Sequence, residues 1–165
     1  MLTQQQLATL KAAIFAETAP SIVQARAPET RDDRVIASFY NTDSPTKRWA
    51  RVMPDKLRDA IDLSEMDGLT QGKRDVIDWA LTVFNGYDAT TAAGRKAITD
   101  SFPSSGAQNS RVAVLAAATP FASRFEMLFP TTDATSLGNQ AVTAKVLTVY
   151  GPVSIDEVAA AMNLP

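Results

Sequence analysis

Two capping boxes, one near each end of the chain, most constrain what this sequence can fold into. Thr3 with Gln6, and Ser154 with Glu157, have the spacing at which each side chain satisfies a backbone N–H that a helix start leaves open. Behind the first, Leu7, Leu10 and Ile14 recur at helical intervals and predict a helix over 4–16. Behind the second, Ile155, Val158, Ala159 and Met162 predict a closing helix after Gly151-Pro152.

Between these ends, proline and glycine divide the chain into short pieces. Pro20 and Pro28 bracket a turn or two of helix around Ile22 and Val23. Thr30 is expected to open a helix through Val35, Ile36, Phe39 and Tyr40, ending at Asn41. The run 41–45 reads as a turn, 48–53 as a short strand, and Pro54 as the first turn of a helix carrying Leu57, Ala60 and Ile61. After a Thr70 cap, Val76, Ile77, Ala80, Leu81 and Phe84 form a wide apolar stripe with Trp79 and Val83 beside it, the pattern of a central helix or of one touching two partners. Asn85-Gly86 stops it, and Thr90 or Thr91 caps a weaker helix anchored by Ile98 and Phe102, with Gly94 inside it. A long helix is expected from about Gln108 toward Phe129, kinked or broken near Thr119 by Pro120, which removes a backbone donor and clashes with the preceding turn. The run 130–140 reads as a loop, and 144–150, rich in β-branched and aromatic residues, as a strand. Such a strand needs a partner, either the 48–53 segment or a strand of a neighbouring subunit. The expected fold is therefore mainly α, a single helical domain over 1–165 with about six helices and strands near 48–53 and 144–150.

Composition removes whole chemistries. The 165 residues include no His and no Cys, so imidazole bases, thiolate nucleophiles, serine–histidine triads, disulfides and ordinary zinc sites are out of reach. A formal charge of −2 gives no broad attraction to nucleic acid or to an anionic membrane. Apolar runs such as 112–118 are far short of the roughly 20 residues of a membrane span, and the N-terminus lacks a signal peptide's pattern. No cofactor, metal site or membrane association is expected.

Four constellations invite a chemical reading, and each has a plainer one. The closing segment from Gly151 looks like the first helix and turn of a helix-turn-helix reader, but the second helix, which would enter the major groove, does not follow. Lys47, Arg48, Trp49 and Arg51 combine charge with an aromatic ring, as single-strand binders do, yet Asp43 and Asp55 flank them and an edge strand with solvated charges and a half-buried Trp is the preferred reading. Glu17, Glu65, Asp67 and Asp78 offer carboxylates for hydrolytic or metal work, although such residues more often cap helices. Asp67-Gly68-Leu69-Thr70-Gln71-Gly72-Lys73 has glycines and a lysine but not the spacing of a phosphate-binding loop.

Several segments together resemble a family of small virion structural proteins of tailed phages and prophages. They are 2–7 with 10–14, the Ser44-Pro45 turn leading to Trp49 and Arg51, Asp67 to Arg74 followed by Trp79, Ser110 to Ala118, then Arg124, Glu126, Leu128 and Phe129, and the terminal 154–164 helix. Pro120, and a loop before the last strand that is not glycine-rich, depart from the pattern. The resemblance implies no catalytic residue. It implies a non-enzymatic head-to-tail connector, or neck, subunit that assembles in the host cytoplasm into the virion. Such a subunit would form a homo-oligomeric ring through head-to-tail contacts, with portal and tail proteins as partners. Contact with passing DNA is left open, as are the alternatives of an intracellular regulatory module or a capsid decoration protein. Apolar residues left exposed after folding would anchor the contacts, and Trp49, Arg51, Trp79 and Tyr150 are the candidates.

Overall fold

The computed structural model describes residues 1–137 and 140–165, with side chains described outside 130–143. Among the described residues the chain is mainly helical, with nine α-helices rather than about six. They are α1 (Gln4–Ala16), α2 (Pro20–Ala25), α3 (Asp33–Tyr40), α4 (Pro54–Ala60), α5 (Leu63–Met66), α6 (Gln71–Thr82), α7 (Ala92–Ser101), α8 (Gln108–Ala118) and α9 (Ile155–Met162). The strands β1 (Asp43–Lys47) and β4 (Phe121–Ser123) pair, as do β2 (Arg51–Val52) and β3 (Tyr87–Asp88), and β5 (Pro130–Leu137) and β6 (Gln140–Leu147). The extra helices are short, and a single turn such as α5 carries too few residues to show a period.

The chain divides into two compact units. The first comprises 1–45, 121–131 and 147–165. Both capping boxes form in it: the Thr3 hydroxyl accepts from Gln6 N while Gln6 accepts from Thr3 N, and Ser154 and Glu157 repeat the arrangement. The second oxygen of Glu157 accepts from Leu2 N at 3.1 Å, so one carboxylate serves the starts of α1 and α9. At the far end of α1, the Arg26 guanidinium donates to the carbonyls of Ile14 and Phe15, where a cation complements the helix dipole. Leu10, Ile14, Ile22, Ile36, Phe125 and Val158 are core residues, with Phe125 and Phe129 packed edge to face at 5.4 Å. The Asn41 side chain ends α3 by pairing with both backbone groups of Val153, at 2.8 and 2.9 Å. The cap that opens α3 is Asp32, not Thr30, because its carboxylate reaches the N–H groups of Arg34 and Val35.

The second unit comprises 46–120 and 132–146. Its core is built on Trp49, Leu57, Ile98, Phe102, Val114 and Leu115. Trp49 N donates to Lys145 O at 2.9 Å, and Arg48 bridges Lys145 in parallel, so the 48–53 segment does meet the last strand within the chain. The main partner of that strand is β5, however, which occupies a stretch read as a loop; positions 138–139 of that stretch lie outside the described residues. The expected 48–53 strand is also divided, with only Arg51 and Val52 forming β2, and β1 begins inside the expected 41–45 turn. The break at Pro120 is complete: α8 ends at Ala118, whose carbonyl accepts from Ala50 N, and Pro120 O accepts from Arg48 N, both at 2.9 Å. Beyond it lie β4 and a 3-10 turn at Glu126–Leu128 instead of more helix.

Candidate interaction surface

Helix α6 is not central to its unit. Of its residues only Ile77 and Ala80 are buried, so one side of the helix is covered and the rest faces outward. Val76, Trp79 and Val83, three and four residues apart, share an exposed stripe, and Trp79 is 53% accessible. The helix ends in a left-handed turn: Val83 and Phe84 N–H groups both reach Trp79 O, Gly86 N donates to Ala80 O at 2.7 Å, and Asn85 has φ 53°. That turn swings Phe84 back beside Trp79, ring centroids 6.3 Å apart and nearly perpendicular, with Phe84 58% accessible. The result is a contiguous apolar patch, unlike scattered single exposed residues.

A groove of about 340 Å³ runs beside the patch, between Val76, Ala80 and Phe84 on one side and Ala93, Gly94 and Ala97 of α7 on the other. On the α7 side the helix approaches β3 closely: a Cβ on Gly94 would lie 1.8 Å from Asp88 O. Gly86 is equally constrained, with φ 89° and Val52 O 1.8 Å from its would-be Cβ. At one end Arg51 and Asp88, cross-strand neighbours in the β2–β3 pair, form a 3.0 Å ion pair. Hydrogen bonds from Thr90, helped by Arg51, hold the Asp88 carboxyl below the usual range.

The four residues expected to anchor contacts separate. Trp79 stands at the middle of the patch and Arg51 at the end of the groove. Trp49 is instead fully buried, with the Arg95 guanidinium 5.5 Å from its ring, and is a core residue rather than an exposed one. Tyr150 belongs to the first unit, where its hydroxyl accepts from Leu147 N and its ring lines a hollow with Phe125, Thr148 and Pro152. Sequence reasoning missed Phe84 and Val83 as surface residues and the small-residue α7 side of the groove. The spacing Ala93, Gly94, Ala97 was the available signal, but it also reads as a weak helix.

Several of the carboxylates considered for chemistry are taken up by backbone N–H groups. Both oxygens of Glu65 accept from the start of α8, at Asn109 N and Ser110 N, and these bonds hold its carboxyl below the usual range. Asp62 is lowered likewise, chiefly by Ser64. Glu17 accepts from Thr18 and Ala19, and Asp67 is the C-cap of α5. Among the described residues no three acidic groups converge on a metal-sized site. The α9 segment that resembles half of a DNA reader packs on α1 and α3.

Two guanidinium groups are buried in the second unit. Arg95, 8% accessible, donates to the carbonyls of Ala89 and Thr90 at 3.0 Å. Arg111, equally buried, donates to Phe102 O at the end of α7, and its Nε has no partner among the described residues. Both stabilise chain reversals by satisfying carbonyls that helix and turn geometry leaves open. No helix of the described residues is long and apolar enough to cross a membrane. Compared with known proteins, the chain matches no family model, no curated protein and no solved structure.

Proposed function

We propose that this chain is a non-enzymatic structural subunit of a tailed-phage virion, a head-to-tail connector of the neck that forms a ring between portal and tail. The observation that carries the contact half of this reading is the apolar patch of Val76, Trp79, Val83 and Phe84, a surface of the kind that protein partners cover. The virion half rests on the ordered motifs from Leu2 to Leu164 and their resemblance to phage structural proteins. Portal and tail proteins are the proposed partners, and repeated copies of the chain the proposed ring neighbours.

Mass spectrometry of purified particles, with copy number measured against the portal protein, tests it. A copy number that is a multiple of the portal's symmetry supports the neck assignment. Capsid-like abundance would replace it with a decoration role, and absence from the particle would defeat the virion reading.

A further inference from the structure

We propose that Asn85 is a latent deamidation site, held inert by the folded second unit and released when that unit opens. This chemistry is independent of the virion reading. Five asparagines occur in the chain, and only Asn85 precedes a glycine. A glycine has no side chain to crowd its nitrogen, so an asparagine amide is attacked most readily when a glycine follows it. In the reaction, Gly86 N gives up its proton to solvent base and bonds to Asn85 Cγ. The Cγ–Nδ2 bond breaks, and ammonia leaves with a proton returned by solvent. Water then opens the five-membered imide at either carbonyl, giving aspartate or, with the chain rerouted through Cβ and Cγ, its β-linked isomer. No electrons are transferred, and water is the one co-reactant consumed.

The two reacting groups are treated oppositely by the fold. Asn85 is exposed, and its side chain makes no hydrogen bond among the described residues. Gly86 is buried, and its N–H, the nucleophile, is committed to Ala80 O at 2.7 Å. Neither end of that bond is free to move. Ala80 is buried in the core, Val52 O lies against the Gly86 Cα, and Tyr87 is held by its pairing with Val52 and by a 2.8 Å hydrogen bond from its hydroxyl to Ser101 Oγ. A buried amide bonded to a carbonyl is shielded from base, so the reaction waits for the opening of the surrounding core. The product then resists closure. A carboxylate at the end of α6 opposes the helix dipole, and the β-linked isomer adds a backbone atom to a turn that Asn85 closes at φ 53°. Phe84 loses the turn that sets it beside Trp79, so a copy that has once opened is marked and its apolar patch dispersed.

Peptide mapping of the full-length chain during incubation at mildly alkaline pH tests the gate. Trypsin, cutting after Arg74 and Arg95, isolates Asn85 in the peptide 75–95, where conversion of amide to acid is read as a mass gain. We expect conversion in concentrated urea and a rate at least about a hundredfold lower in native buffer. Urea below the unfolding midpoint should raise the rate in proportion to the unfolded fraction, because opening and reclosing are fast beside the chemistry. In native buffer Trp49→Ala should speed conversion at least about tenfold by weakening the core. Trp79→Ala, although nearer in sequence, should change it by less than about threefold. Asn85→Gly, which retains a residue suited to the left-handed turn, should abolish the mass gain. If circular dichroism shows that Trp49→Ala does not fold, the urea series on the unaltered chain still decides. A native rate equal to that in urea, a rate that stays flat below the midpoint, or equal acceleration by the two tryptophan variants would overturn the gating. No conversion even in urea would overturn the site.

Discussion

The longest helices of the two units are closed by different means. In the first, the ends are held mostly by side chains adjacent in sequence: Thr3 and Gln6 on α1, Asp32 on α3, Ser154 and Glu157 on α9. In the second, Asp62 and Thr91 cap α5 and α7 in the same way, but neither of the two longest helices, α6 and α8, has a hydrogen bond from its own N-cap side chain. The start of α8 is held by Glu65, more than 40 positions earlier, and its end by the backbone of Ala50. Local capping makes an element that sequence alone specifies, whereas remote capping makes one that exists only when its unit is folded. The same contrast extends to the surfaces. Exposed apolar residues of the first unit, such as Phe15, Val35 and Phe121, lie on separate elements, while those of α6 and its terminal turn are gathered into one patch.

The largest expected effect that bears on this contrast is at the core of the second unit. Trp49→Ala should cost about 3–5 kcal/mol in urea unfolding, since it removes a fully buried ring and leaves Arg95 without its aromatic neighbour. Trp79→Ala, at an exposed ring, should change monomer stability by no more than about 0.5 kcal/mol. Equal losses at the two tryptophans would erase the distinction between core and surface ring. Arg95→Met should cost about 2 kcal/mol, because the carbonyls of Ala89 and Thr90 lose a buried donor. Ser154→Ala should cost about 1 kcal/mol through its cap, read as a shift in urea midpoint.

Titration divides the units further. Asp62, Glu65 and Asp88, all in the second unit, have carboxyls held below the usual range by hydrogen bonds in the folded state. A depressed acid contributes stability above its unfolded pKa and loses it as pH falls through the folded one, so the second unit should weaken below the ordinary carboxylate range. Both tryptophans lie in that unit, so their fluorescence reports it directly, and Glu65→Gln should flatten the acid limb. In the first unit burial, reinforced by Glu17, pushes the Tyr40 phenol up to about 12. A raised phenol contributes stability that is fully present below about 10 and is lost as pH rises through about 12. Ultraviolet titration of tyrosinate should show late-ionising phenols, because burial also raises Tyr87, and Tyr40→Phe should remove part of that late fraction.

How much was legible follows from where each constraint resides. The bounds of α1, the box that opens α9, the stop at Asn85-Gly86 and the break at Pro120 all depend on residues within a few positions of one another, and the structure reproduces them. The length of α8 beyond the break, the pairing of 130–137 and the division of the 48–53 segment depend on strands brought together from distant positions, and these were misread. Trp49 and Trp79 show the limit most clearly. Each is a tryptophan within two residues of a charged side chain, and no local pattern separates them.

The amino-acid sequence by itself determined that this protein is mainly helical, where several of its helices start and stop, and that histidine and cysteine chemistry is closed to it. Only the tertiary structure decided which tryptophan is enclosed and which is presented. Trp49 is enclosed because Lys145 meets its backbone and Arg95 its ring, whereas Trp79 is presented because Ile77 and Ala80 bury the other side of α6. Burial is a property of what packs around a side chain, and that is set by contacts between residues far apart in the chain.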